Sequence, residues 1–254
     1  MNGDALEKRL NELALRSAHT GMVCCSKFLE PSQPDLARAA ANRAGAHVAF
    51  WGGYAGAERT VAAFYDACAP ETGDYPVSAL RIEWNAKFSN PGHRDLLGAV
   101  MGLGIERETV GDIAMGAFRG AKCAYLFALS DMADYIAATL EGAGRAAVKV
   151  RVADEAPELT PPEGVEMRLT VQQARLDAVL AAACRLSRGE AQRLISAGLV
   201  KLNHAVNTHA DARLAEGDLI SARGFGRVRV DAFGGETRRG RQAVTVFKYG
   251  GNGK

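Results

Sequence analysis

Residues 186–203 read LSRGEAQRLISAGLVKLN and predict a short helix that leads into a strand. Ser187 has the position of a helix N-cap and Glu190 follows three residues later, which is the spacing of a capping box. Gly198 has the position of a C-terminal capping glycine. Between them, apolar residues recur at helical spacing on one face: Ala191, Leu194 and Ile195. From Val200 to Asn203 the residues alternate between apolar and polar, as in a half-buried strand: Val200, Lys201, Leu202 and Asn203.

A second amphipathic helix is predicted directly upstream, over residues 175–184, and it opens with Arg-Leu-Asp. Its apolar face also has helical spacing: Leu176, Val179, Leu180 and Ala183. On the helix that begins at Arg188, a turn of 100° per residue places Gln192 and Ser196 on the same stripe as that arginine, with Arg193 further round. This stripe predicts contact with a partner, and a merely solvated helix face is the alternative.

Short strands are predicted to complete this part of the chain. Val228 and Val230 alternate with Arg227 and Arg229, so the valines are expected to face inward and the arginines outward. Residues 238–241, which read RRGR, predict a basic turn into a last strand. The resulting picture is two helices beside a small sheet, with cations at the rim.

The charge of the chain is unevenly distributed. Residues 175–254 contain 14 Lys/Arg and 7 Asp/Glu, a net charge of +7, while the rest of the chain has a net charge of −5. A basic end on an acidic body indicates a polyanionic partner. Cations suit phosphates, and Arg, Gln and Asn also bond base edges and the 2′-hydroxyl of RNA. We therefore expect an RNA site formed by nine residues: Arg175, Asp177, Ser187, Arg188, Gln192, Arg193, Lys201, Asn203 and Arg227.

A proline-rich acidic segment separates this basic end from the acidic body. Residues 154–164 hold three of the eight prolines and four acids, a composition typical of an extended linker. Ahead of it, the strand and helix patterns of residues 76–153 follow the order βαββαβ, which RNA-recognition domains share with many unrelated proteins. In the first 75 residues, two helices and a strand are predicted.

The predicted fold class is α+β, with three small domains. Residues 1–75 form an N-terminal α/β domain, and residues 76–153 form a ferredoxin-like domain that resembles RNA-recognition domains. After a linker over residues 154–168, residues 169–254 form the RNA-binding domain with a C-terminal strand extension.

Two features of the acidic body bear on RNA contact. The third strand of the central domain places Ala121 and Cys123 where aromatic side chains would stack bases, so we expect no base stacking there. Gly52 and Gly53 follow a predicted strand and could receive a phosphate. They lack the Lys-Ser/Thr of a P-loop, which favours a plain tight turn.

Several protein classes are excluded by simple patterns. No run of 18 apolar residues occurs, so no membrane-spanning segment is predicted. The acids Asp4, Glu7 and Glu12 argue against a secretory signal peptide. The five cysteines form no Cys-x-x-Cys pair, and we interpret them as reduced packing residues of a cytoplasmic protein, with neither metal nor cofactor.

The residues already discussed resemble the S4-type RNA-binding domain. The similarity is carried by RLD at 175–177, LSRGEA at 186–191, LISAGLVKLN at 194–203 and GD at 217–218. Most of the remaining chain resembles the YlmH family of bacteria. This similarity is carried by WGGY at 51–54, ER at 58–59, HRDLLGAVMGLGI at 93–105, VGDI at 110–113 and GFGR at 224–227.

The resemblance implies a three-part protein with an N-terminal domain, a central RNA-recognition-like domain and an S4-type domain. We expect the protein to be a monomer. It implies binding to the large ribosomal subunit that carries stalled peptidyl-tRNA, with 23S rRNA and tRNA as the RNA partners, in ribosome quality control. A role in cell division has also been suggested for the family.

Two partial matches, and the company that S4-type domains keep in other proteins, point instead to enzymes. The triplet at 175–177 is similar to that of pseudouridine synthases, but only about 20 residues follow Val230, too few for their catalytic domain. Asp177 is therefore expected to orient Arg175 or to cap its helix. Residues 93–96 match the start of the kinase catalytic loop, but Val100 stands where Asn is required. An S4-type domain can also accompany an RNA methyltransferase. Such an enzyme would need a glycine-rich cofactor loop after a strand, and no such loop with Gly-x-Gly spacing is identified in the first 150 residues. The sequence favours a non-catalytic protein, with an RNA-modifying enzyme as the alternative.

Overall fold

The computed structural model of the chain describes residues 3–161, 163–236 and 240–250. It divides into two compact units, Met1–Pro161 and Pro162–Lys254. Both units combine helices with antiparallel sheets, which confirms the predicted α+β class. Among the described helices, none is both long enough and apolar enough to cross a membrane.

The first unit begins with two helices on a three-stranded antiparallel sheet of order β1-β3-β2. Its elements are α1 (Gly3–Thr20), β1 (Cys24–Leu29), α2 (Pro34–Ala44), β2 (His47–Trp51) and β3 (Thr60–Tyr65). The opening helix buries the face that its spacing predicts: Leu6, Leu10, Leu13 and Ala14. This face packs with the alanines of α2 and with Phe64 of β3.

The central part of the first unit has the predicted βαββαβ order. Its elements are β4 (Val77–Trp84), α3 (His93–Gly102), β5 (Val110–Phe118), β6 (Ala121–Leu129), α4 (Ser130–Thr139), β7 (Gly142–Ala143), β8 (Ala146–Val152) and β9 (Glu158–Leu159). The sheet order β7-β8-β4-β6-β5-β9 contains the ferredoxin-like core β8-β4-β6-β5. Helices α3 and α4 cover one face of this sheet through a continuous apolar core.

Strand β6 is buried on both faces, because a second layer covers the sheet. Its even-numbered residues from Ala124 to Ala128 face the helices. Its odd-numbered residues, which include Tyr125 and Phe127, pack against Phe28 of β1 and the β3 residues Val61 and Ala63. RNA-recognition domains stack bases on the sheet face opposite the helices. In this protein that face is occupied by the first sheet.

The bend after β2 lies in this interface. The ring of Tyr54 stacks on Phe127 with 4.8 Å between centroids. Gly53 has a φ of +99°, and a Cβ at this position would lie 2.2 Å from Cδ1 of Phe127. The glycine therefore permits close packing between the two sheets, and the bend has a structural role.

The segment predicted as a linker, residues 154–168, contains two pieces of strand. Leu159 of β9 pairs with Gly116 of β5, and strand β10 begins at Gly164. The reason is visible in the side chains: Met167 and Leu169 alternate with polar neighbours and contribute to the core of the second unit. The domain boundaries predicted from the sequence stay a prediction.

The second unit contains two helices on one six-stranded antiparallel sheet. Its elements are β10 (Gly164–Val171), α5 (Leu176–Cys184), α6 (Arg188–Ser196), β11 (Val200–Leu202), β12 (Ala205–Val206), β13 (Leu219–Ala222), β14 (Gly226–Glu236) and β15 (Gln242–Tyr249). The sheet order is β10-β15-β14-β13-β11-β12. Val228 and Val230 are buried against the two helices, as predicted from their alternation with arginines. Of the predicted basic turn at 238–241, Arg238 and Arg239 lie outside the described residues.

Candidate nucleic-acid interface

Helix α6 begins with the capping box that the sequence predicts. The Ser187 hydroxyl oxygen accepts a hydrogen bond from the Glu190 backbone N–H at 3.2 Å. The Glu190 carboxylate in turn accepts from the Ser187 backbone N–H at 2.8 Å and from its hydroxyl at 2.7 Å. These hydrogen bonds lower the pKa of Glu190. Ser187 is thus engaged in fixing the start of the helix, one residue before Arg188.

A buried aspartate connects α5 to α6. Asp177 lies in the first turn of α5 and has no exposed side-chain surface. Its carboxylate accepts hydrogen bonds from Arg188 at 2.9 Å and from the Gln192 amide at 2.9 Å. It also accepts two from the Arg175 guanidinium, at 3.2 and 3.3 Å. The predicted contact between Asp177 and Arg175 is confirmed, and two further donors from α6 join it.

The ionisation of Asp177 follows from these contacts. Burial raises its pKa, but hydrogen bonds from Gln192 and Arg188 and the charges of Arg188 and Arg175 outweigh burial, so the pKa is lowered. The aspartate is therefore a carboxylate in the neutral range. Since it is fully buried, its carboxylate has no surface open to a ligand, and its contacts fix the positions of the two arginines.

The arginines held by this carboxylate remain accessible to a partner. The side chain of Arg188 is 52% exposed and that of Arg175 is 30% exposed. Arg193, one turn further along α6, is exposed and donates a hydrogen bond to the Gly189 carbonyl at 3.4 Å. Guanidinium groups fixed at one end while their other donors face solvent are well suited to phosphate oxygens.

Asn203 is placed differently from the helix residues. It forms, with His204, a two-residue turn between β11 and β12, and both residues have positive φ. Its amide nitrogen donates to Asp218 at 2.7 Å, and its carbonyl oxygen accepts from the Leu219 backbone N–H at 2.8 Å. Both ends of the amide are therefore used to hold the turn.

Lys201 and Arg227 share one face of the sheet. Strand register pairs Lys201 with Ser221 and Ser221 with Arg227, so the three side chains lie in one row across β11, β13 and β14. The structure thus brings Arg175, Asp177, Arg188 and Gln192 into one hydrogen-bonded cluster. Lys201 and Arg227 belong instead to the row on the sheet, apart from this cluster.

In the first unit, the motifs typical of the YlmH family converge on a structural network. The Asp112 carboxylate accepts hydrogen bonds from the Tyr54 hydroxyl at 3.1 Å and from the Glu58 backbone N–H at 2.7 Å. The buried Arg59 guanidinium donates to the Val110 carbonyl at 3.0 Å and to Glu30 at 2.6 Å. These contacts join the turn after β2 to the start of β5.

The same unit contains a cleft of about 1040 Å³. Apolar residues of α1, including Leu6 and Leu10, line it together with Arg59 and Arg107. Arg107 donates to the Val110 carbonyl at 2.5 Å, so both arginines are engaged in structural contacts. Among the described residues, no group of His, Cys, Asp or Glu could hold a metal ion. All five cysteines lie in the described part of the chain, and none is in a disulfide bond.

Comparison with known proteins matches both parts of the chain. Residues 70–156 match the family model described as "Putative RNA-binding domain in YlmH", and residues 174–220 match the S4 domain. The chain is 38% identical over 220 residues to "Ribosome-associated protein quality control protein P2" of Bacillus subtilis, covering 86% of this chain and 84% of that protein. A solved structure, "Cell division protein ylmH from Streptococcus pneumoniae", is 22% identical and matches with a TM-score of 0.47, covering 60% of this chain and 92% of the other.

Proposed function

The chain belongs to the YlmH family of bacterial S4-domain RNA-binding proteins, and from this premise we propose that it is a non-catalytic, ribosome-associated quality control factor. In this proposal the second unit binds the large ribosomal subunit and peptidyl-tRNA. The protein acts in the cytoplasm, as a monomer, and without a cofactor. The observation that carries the proposal is the buried Asp177, which holds Arg175 and Arg188 beside the start of α6.

The charge distribution supports RNA as the partner of this unit. The basic end contributes a net charge of +7, and Arg175 and Arg188 are held by a carboxylate that is itself shielded from a bound phosphate. Electrostatic contacts of this kind supply sequence-independent affinity. Gln192 and the arginines add hydrogen-bond donors that can recognise RNA shape. The printed name of the Bacillus subtilis relative assigns that protein to ribosome-associated quality control.

The contacts of Asp177 also bear on catalysis. A nucleophilic or general-base aspartate must reach its substrate. Asp177 is fully buried and accepts hydrogen bonds from three side chains. It therefore does not resemble a catalytic aspartate, whose carboxylate must be open to the substrate. The pairs Gly102/Gly104 and Gly142/Gly144 do have Gly-x-Gly spacing. The first pair ends α3 and the second lies in the β7–β8 hairpin, so neither forms the strand-to-helix loop of a nucleotide cofactor.

Sedimentation with ribosomal subunits tests the proposal. The full chain is expected to migrate with large subunits that carry peptidyl-tRNA, and Arg188→Ala is expected to weaken this association about tenfold, since one charge-assisted hydrogen bond is lost. Lys87→Ala removes an exposed cation from the first unit and serves as the matched control.

The proposal fails if the protein stays in the free fraction while stalled complexes are present. Mass analysis of rRNA and tRNA from cells that lack the protein addresses the enzymatic alternative. A missing modification would favour an RNA-modifying enzyme over the proposed factor.

A further inference from the structure

The second unit has a second surface that the S4-type helices do not use. On β14 and β15, residues that alternate with the buried Val228, Val230 and Val246 point away from α5 and α6. This arginine–aromatic face is formed by Lys201, Arg227, Arg229, Phe247 and Tyr249. Arg229 and Phe247 are directly opposite each other in the strand register.

The aromatic rings of this face are held in fixed positions. Phe247 and Tyr249 make an edge-to-face contact with 5.1 Å between ring centroids. A Cβ on Gly164 of the neighbouring strand would lie 2.5 Å from the Phe247 ring, so the glycine makes room for it. Both aromatic residues are only partly buried. They are therefore positioned at the protein surface without being part of its core.

The arginines lie over these rings. The Arg227 guanidinium is 5.0 Å from the centroid of Tyr249, and that of Arg229 is 5.5 Å from the centroid of Phe247. Arg229 is held further by Asp231 at 2.6 Å, and hydrogen bonding to that carboxylate raises its pKa. Arg227 lies two strands from Lys201, which corresponds to about 10 Å across the sheet.

We propose that the arginine–aromatic face binds unpaired RNA bases by stacking, as a contact separate from the helix α6 surface. Planar guanidinium groups and aromatic rings both stack on nucleobases, and every base offers a π face. Lys201 and Arg227 neutralise the adjoining phosphates. Together with Arg229, these cations outnumber the carboxylates of this face, which are Asp231 beside Arg229 and Glu166 opposite Phe247. The inference rests on the proposed function in that it requires the chain to bind RNA.

Three hairpin RNAs of equal stem sequence test this inference with the full chain. One ends at the stem, one carries six unpaired adenosines, and one carries six abasic nucleotides that keep the phosphates. The adenosine extension is expected to increase affinity at least about fivefold over the abasic extension, because base stacking on aromatic side chains contributes that much or more per base. Phe247→Leu and Tyr249→Leu should remove this preference, while Tyr249→Phe should retain it.

The outcomes separate this inference from the proposed function. Arg188→Ala should weaken binding of all three RNAs by a similar factor and leave the preference for adenosines intact. Equal affinity of the wild-type chain for the adenosine and abasic extensions would overturn the stacking proposal alone, even if the leucine variants fail to fold. If the wild-type chain bound none of the three RNAs, the result would contradict the proposed function as well.

Discussion

Alanine at position 53 is expected to destabilise the first unit by about 2–5 kcal/mol. The added Cβ would lie 2.2 Å from Cδ1 of Phe127, which is fully buried and cannot move aside. Inserting atoms into a packed core costs about 1–3 kcal/mol. The left-handed φ of +99° adds about 1–2 kcal/mol for any residue with a Cβ.

Gly56 provides a matched control for this substitution. Its φ is +85°, and a Cβ at this position has no neighbour within 4 Å. Gly56→Ala should therefore cost only the backbone term, about 1–2 kcal/mol. Trp51 and Trp84 both lie in the first unit, so tryptophan fluorescence during denaturant unfolding reports on it directly. Equal free energies of unfolding for the two variants would show that the contact between Gly53 and Phe127 is not close.

Asparagine at position 177 is expected to impair both the stability of the second unit and its affinity for RNA. Both carboxylate oxygens accept hydrogen bonds, one from Arg175 and the other from Arg175, Arg188 and Gln192. An asparagine amide would direct an N–H at one of these donors in either orientation. We expect a loss of about 2–3 kcal/mol, below the full cost of breaking a buried pair because Arg188 is half-exposed. RNA affinity should fall about tenfold as the arginines lose their common acceptor.

Hydrogen exchange of α5 and α6 amides measures the stability part of this effect, and Asp211→Asn, at an exposed site, is the control for the change of charge.

The lowered pKa of Asp177 also determines how the stability of the second unit depends on pH. The Asp177 carboxylate stabilises the folded unit fully at pH values above the ordinary aspartate pKa, and this stabilisation is lost as the pH falls through the lowered pKa. Asp177→Asn should therefore reduce the acid sensitivity of the second unit. Unchanged exchange rates in the variant would mean that the carboxylate does not hold α5 and α6 together.

The elements predicted from the sequence are those with strong local signals. Helix α6 is specified by Ser187, Glu190 and its apolar spacing, and the structure contains the full capping box. The strands of the central sheet follow from alternating residues, and their order is confirmed. Local patterns were sufficient here because capping and alternation depend on residues only a few positions apart.

The covering of the central sheet was not predicted, although the sequence contains a signal for it. Residues 123–129 are apolar without interruption, and an unbroken apolar strand is typical of burial on both faces. The strands β1 and β3, which provide the covering layer, were also missed. The side chains of β3 are apolar on both faces, so this strand lacks the alternation that identifies a half-buried strand. Strand β1 has Ser26 and Lys27 side by side and a register shift between Cys25 and Phe28, which interrupts its pattern.

The candidate site was only partly accessible from sequence. Proximity in the chain suggested the contact between Arg175 and Asp177, whereas the contacts of Arg188 and Gln192 with that carboxylate require the packing of α5 on α6. Asn203 was predicted to contact RNA, and the structure shows its amide bonded within a turn to residues 15 and 16 positions away. Long-range pairings of this kind leave no periodic pattern to detect.

The salt dependence of RNA affinity tests the central claim, that cations of the second unit contact RNA phosphates, most directly. Arg188→Ala, Arg193→Ala and Lys201→Ala should each lower the slope of log affinity against log salt concentration by about 0.7–0.9, since each removes one phosphate contact. Lys87→Ala, at an exposed site in the first unit, should leave the slope unchanged. Slopes that are the same for the wild-type chain and all four variants would contradict the claim and would mean that these cations are only solvated.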